Sequence, residues 1–149
     1  VQIAVRYPDA DAERRIVALG IDPGLAITPV LTPAELMAHQ ALVRRIPVPD
    51  SVVTHVVALL RATRPGEPSC PPAVRELLQW GAGPRAGQQL VAAAQARAAL
   101  DGRPAVTVTD VRALAEPVLE HRLVRSFAAE SRSVSAGEIL KRVLDAVPA

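Results

Sequence analysis

Apolar residues recur at helical spacing along most of the chain, and clusters of proline and glycine interrupt them. Val1 to Val5 is the exception. It is short, apolar and partly β-branched, and it predicts a strand that Pro8 ends. Asp9 is a candidate N-cap for a helix to about Leu19, with Ala12, Ile16 and Leu19 on one face and Gly20 as its stop. Residues 21–31 carry turn residues and read as a loop. Thr32-Pro33-Ala34-Glu35 is a capping box that opens a helix to about Arg45, with Leu36, Met37 and Val43 inward.

After the extended Ile46-Pro47-Val48-Pro49, Asp50 opens a helix to about Thr63. Its face of Val52, Val53, Val56, Val57, Leu59 and Leu60 is rich in β-branched residues, so burial rather than propensity must hold it. Residues 64–72 are a proline-rich loop, and Ala73 to Trp80 fits one or two helical turns that Gly81-Ala82-Gly83 breaks. Pro84 starts the longest helical pattern, closed by Asp101-Gly102. Val106 to Val108 reads as extended. Thr109 is the expected cap of a helix over Asp110 to about Leu119, limited or kinked by Pro117. Residues 120–134 look polar and irregular. Ser135-Ala136-Gly137-Glu138 is a second capping box, and the last helix should bury Ile139, Leu140, Val143 and Leu144. The expected fold is mainly α, a small helical bundle with one or two very short strands.

Composition narrows the functions. The chain has 149 residues, of which half are hydrophobic but only three are aromatic: Tyr7, Trp80 and Phe127. That excludes recognition by stacking on several aromatic rings. Seventeen basic residues, all arginine except Lys141, nearly balance fifteen acids and are scattered among them, so no nucleic-acid footprint emerges. The single Cys70 forms no internal disulfide, and His39, His55 and His121 lack zinc spacing, so no metal site is expected. A reducing cytoplasm is the expected compartment, and no apolar run reaches the ~18 residues of a membrane span. The N-terminus has no signal-peptide layout and no initiator Met, so the chain is expected to be a fragment or a processed form.

The phosphate-binding pattern GxxxxGK[ST] is missing, and Lys141 follows no glycine loop. Gly81 to Gly87 misses a dinucleotide fingerprint by one position and reads as a helix boundary. Arg85 falls at about the second position of the long helix, where a cation opposes the helix dipole. Free N–H groups and an arginine together make an anion site. An arginine that extends to solvent or pairs with a nearby Glu is the simpler account from spacing alone. His121 has no triad partners, Cys70 lies among prolines, and Asp9, Asp11 and Glu13 suit a helix start.

The order of motifs says more than any one of them. Arg6-Tyr7-Pro8-Asp9, Leu31-Thr32-Pro33-Ala34-Glu35-Leu36 and Arg61-Ala62-Thr63-Arg64 come first. Gly81-Ala82-Gly83-Pro84-Arg85-Ala86, Leu100-Asp101-Gly102-Arg103, Val106 to Val111 and Val118 to Leu123 follow. From Arg6 to Val147 the chain resembles the C-terminal helical lid of MoxR-type AAA+ ATPases. That family has Ser where this chain has Gly83, which removes a capping hydroxyl. The resemblance implies that residues 1–8 are the end of the last core strand and the junction, and that 9–149 are the lid. It makes Arg85 the sensor 2 arginine, reaching the γ-phosphate of ATP. Gly83 and Pro84 would stand beside the nucleotide, and Tyr7 near its base. It also implies ATP with magnesium in the intact parent, with neither bound tightly here. The implied partners are the chain's own AAA+ core domain, neighbouring subunits of a ring (usually a hexamer) and a von Willebrand A-domain protein, with no nucleic acid and no membrane. The implied activity is chaperone-like remodelling. The alternative is a stand-alone helical interaction or adaptor module.

Overall fold

The computed structural model describes residues 1–21, 24 and 26–149. Asp22, Pro23 and Leu25, part of the predicted 21–31 loop, lie outside the described residues. No strand forms over Val1–Val5, because a strand needs a neighbour for its ladder and among the described residues none lies alongside. Gln2 instead donates its N–H to the carbonyl oxygen of Pro117 at 2.7 Å. Helix α1 (Ala10–Leu19) starts as expected, with the Asp9 carboxylate accepting from the Ala12 N–H at 2.7 Å. Gly20 ends it with φ 70°, a left-handed conformation that favours glycine.

Helix α2 (Pro33–Val43) carries the complete capping box of Thr32 and Glu35. The hydrogen bonds from Thr32 hold the Glu35 carboxyl below the usual carboxylate range. The expected inward faces of these two helices are corrected. Ile16, Leu19, Leu36 and Met37 are exposed, and neither helix buries a residue fully. Their periodicity marks an apolar side, but among the described residues nothing covers Ile16, Leu19, Leu36 and Met37.

The core begins at α3 (Asp50–Ala62), followed by the short α4 (Pro72–Arg75) and β1 (Leu78–Trp80). The helical turn expected from Ala73 forms as α4, and a strand takes the place of the second turn up to Trp80. Its partner β2 (Val124–Arg125) pairs antiparallel with it, and Ser126 donates its N–H to Leu77 O at 3.0 Å. Between them run α5 (Pro84–Leu100) and α6 (Val108–Leu119). A 3₁₀ turn over Glu120–Arg122 precedes β2, and α7 (Phe127–Ser131) follows it, so residues 120–134 are more regular than their polarity suggested. The last helix is α8 (Ala136–Ala146), which buries Ile139, Leu140 and Val143.

Ala86, Leu90, Ala94 and Ala98 recur every fourth residue and form the buried stripe of α5. Small side chains there let α5 lie close to α6 and α3. The connector between α2 and α3 is tied down by Gln95, whose amide donates to Ile46 O at 2.8 Å. Val106 adds an N–H to Pro47 O at 3.1 Å. The cap of α6 is Thr107 rather than the expected Thr109. Three residues after Thr107 comes Asp110, whose carboxylate accepts from the Thr107 N–H (2.9 Å) and hydroxyl (2.8 Å). Three residues after Thr109 comes Arg112, which has no acceptor to offer in return.

Candidate functional site

Arg85 lies where the spacing put it, at the second residue of α5. Gly83 is the N-cap and supplies no side-chain bond, and Pro84 presets the first turn without an N–H of its own. The Arg85 side chain is exposed, and among the described residues no carboxylate pairs with it. An arginine so placed feels the positive end of the dipole without compensation, which suits an anion brought from outside. These residues fit contact with a phosphate group from one side; they do not form a cradle around one.

The loop before α5 is held to the end of α3. Thr63 is fully buried. Its hydroxyl donates to Leu60 O at 2.6 Å and accepts the Ala82 N–H at 2.9 Å. Arg64 donates Nε–H to Ala82 O at 3.2 Å. A Cβ on Gly81 would lie 2.2 Å from the Thr63 carbonyl oxygen, and one on Gly87 would lie 2.8 Å from Leu60 Cδ1. Gly81 is needed for this close approach because its neighbour is backbone, whereas Gly87 faces the end of a leucine side chain. Beside the loop is an open cavity of about 430 Å³ lined by Arg64, Gly66, Trp80, Gly83 and Pro84 among others. Trp80 stays 66% exposed at its edge. Tyr7 is 98% exposed, so its ring packs on neither Arg85 nor Pro84.

At the other end of α5, two arginines and two aspartates meet. Asp110, only 3% exposed at its side chain, takes both terminal nitrogens of Arg103 and lies 3.3 Å from Arg97 Nε. Asp101 also accepts from Arg103, at 3.0 Å. The Arg103 guanidinium holds the Asp110 carboxyl at about 2, and the Thr107 hydrogen bonds act in the same direction against burial. This cluster locks α5 to α6. Sequence reasoning missed it, as it missed Thr63 and Arg64. The signal available was the opposite charge of Arg103 and Asp110 in two neighbouring motifs.

Other chemistry-bearing side chains do not converge. Cys70 is buried, and that burial pushes its thiol pKa up, the reverse of an activated nucleophile. Among the described residues no group of three or more His, Cys, Asp or Glu side chains comes together. No described helix is long and apolar enough to cross a membrane.

Residues 72–143 match the family model of the AAA lid domain. The match takes in β1, the whole of α5 and α6, and most of α8. Over 147 residues, 98% of the chain, it is 33% identical to Chaperone MoxR1 of Mycobacterium tuberculosis. The chain carries an AAA lid domain and is a homologue of the MoxR chaperones. The lid is also 50% identical over 56 residues to Protein MoxR of Paracoccus denitrificans, which covers 38% of this chain and 16% of that protein. It spans 39% of the length of MoxR1. A crystal structure of a proposed ATPase from Cytophaga hutchinsonii shares the fold, with a TM-score of 0.80 at 22% identity. That likeness covers 97% of this chain and 44% of the other.

Proposed function

We propose that this chain is the sensor 2 lid of a MoxR-like AAA+ ATPase, a chaperone-like remodelling or assembly factor. Residues 1–8 would join it to a core domain that grips ATP and magnesium, with Tyr7 near the base, and residues 9–149 would form the lid. The observation that carries this reading is Arg85: a solvent-exposed cation at the second position of α5 with no carboxylate partner among the described residues. When ATP is bound in the parent, its γ-phosphate supplies the missing counter-charge. Arg85 would donate to the γ-phosphate oxygens and stabilise the charge that redistributes over them during phosphoryl transfer. Gly83 and Pro84 leave the approach to Arg85 open, because neither carries a long side chain.

The lid contributes one charge and a wall. The chain has no phosphate loop, so purified alone it neither binds ATP tightly nor hydrolyses it. A clear ATPase rate from the purified chain would contradict this reading. In the parent, Arg85→Ala reduces ATP turnover, and wild-type turnover in that variant would remove Arg85 from the mechanism. The proposed setting is a cytoplasmic ring, usually a hexamer, with neighbouring subunits and a von Willebrand A-domain protein as partners.

An adaptor role is the second reading. It is favoured by an apolar groove of about 520 Å³ between α2 and α5, lined by Leu36, Leu42, Val43, Ala96 and Leu100 among others. Leu100 is 89% exposed there. The adaptor reading predicts no loss of turnover when Arg85 is replaced.

A further inference from the structure

We propose that Thr63, seconded by Arg64, is a positioning residue for Arg85. The inference rests on the sensor reading above and adds the device that aims the side chain. Thr63 is a polar residue with no exposed surface, so its hydroxyl must be answered from within the protein. It is answered twice, by Leu60 O as acceptor and by the Ala82 N–H as donor. Arg64, the next residue, takes the other backbone polar group of the same residue by donating to Ala82 O. Two consecutive side chains at the end of α3 thus hold both backbone groups of one residue in the loop before α5.

A clamp of this kind fixes the planes of the peptides on either side of Ala82. Gly81 presses its backbone directly onto the Thr63 carbonyl, which leaves no room for a sideways shift. Between Ala82 and Arg85 stand only Gly83, extended at φ −87° and ψ 174°, and Pro84, whose ring locks φ. The first turn of α5 is pressed onto α3 again at Gly87, against Leu60 and Val56. Arg85 sits between these two fixed points. The direction of its Cα–Cβ bond is therefore set by the α3 end rather than by its own contacts, of which there are none to a carboxylate.

The test uses the ATP-hydrolysing parent protein. Thr63→Val keeps the shape and removes the hydroxyl, and Thr63→Ser keeps the hydroxyl. Thr63→Val lowers kcat by about tenfold with the KM for ATP changed by less than about twofold, since a misaimed group loses transition-state contact first. Thr63→Ser stays within about twofold of wild type. In an Arg85→Ala background, Thr63→Val adds nothing further to the loss, because both changes remove the same interaction. Arg64→Met, which keeps the stem and drops the guanidinium, behaves in the same non-additive way and serves if Thr63→Val does not fold. Multiplying losses in the double variants would show a general structural role and overturn the proposal. Wild-type kcat in Thr63→Val or in Arg64→Met, beside a slow Arg85→Ala, would overturn it while leaving the sensor reading in place. Wild-type turnover in Arg85→Ala would overturn both.

Discussion

Replacing Asp110 with asparagine keeps the size of the side chain and removes its charge. The amide would turn an N–H₂ group toward the Arg103 fork, where two oxygens now accept. The magnitude follows from the carboxyl itself, which titrates at about 2 instead of 3.8. A difference of nearly two units corresponds to about 2 kcal/mol of folding stability. The general range for stripping one partner from a buried ion pair is ~3–5 kcal/mol. The lower figure applies here because the Arg97 and Arg103 side chains keep 44% and 32% of their exposure and can turn to water. In a chain of this size about 2 kcal/mol lowers Tm by about 4–8 °C. Thermal unfolding followed by circular dichroism at neutral pH measures it. The sign against pH is fixed too. A lowered native pKa stabilises above the unfolded value of 3.8, and that contribution drains away as pH falls toward about 2. The gap between wild type and Asp110→Asn should therefore close over that window. Equal Tm values at neutral pH, or a gap unchanged at the acid end, would refute the account of how α5 and α6 are locked.

Arg85→Ala should leave Tm within about 1–2 °C of wild type, because an exposed, unpaired side chain contributes little, while ATP turnover in the parent falls. A large Tm loss would mean that Arg85 has a structural partner. Gly81→Ala should cost about 2 kcal/mol or more, since its Cβ meets backbone that cannot swing away. Gly83→Ser, with open space around it, should gain a few tenths of a kcal/mol by supplying a side-chain cap. Comparable unfolding curves for these two variants would contradict the close approach at Gly81. Burial and the Arg112 charge hold the His55 pKa below 6.5, against a smaller opposing effect of the Pro148 backbone. Stability should thus decline as pH drops below 6.5, where the unfolded chain takes up the proton first. His55→Gln should flatten that decline, and an unchanged pH profile in the variant would rule it out.

Local signals in the sequence were dependable where one short segment carried all the chemistry. The capping boxes at Thr32 and Ser135 and both ends of α5 follow from residues within a turn of each other. The position of Arg85 was legible for the same reason, since Gly83-Pro84 announces a helix start. What escaped was non-local. The β1–β2 pair consists of a three-residue and a two-residue strand, too short to show a period, and each depends on a partner some 45 positions away. The exposed faces of α1 and α2 show that spacing reveals an apolar side without revealing a cover. The Thr63–Ala82 contact spans 19 positions, and a buried threonine within Arg61-Ala62-Thr63-Arg64 looks like any other helix end.

Helix α5 runs from the loop clamped to the end of α3 to the charged cluster at the start of α6. Its 17 residues make a rod of about 25 Å. The arginine stands at one tip, and the far tip is bolted through Asp101, Arg103 and Asp110. A rod pivoted at that bolt, with the clamped end of α3 moving along with it, magnifies small rotations: a tilt of about 5° carries the arginine end through about 2 Å, enough to make or break a charged contact. An event at the α5–α6 corner would thus be felt as a change of reach at the opposite end, without any helix having to bend or melt.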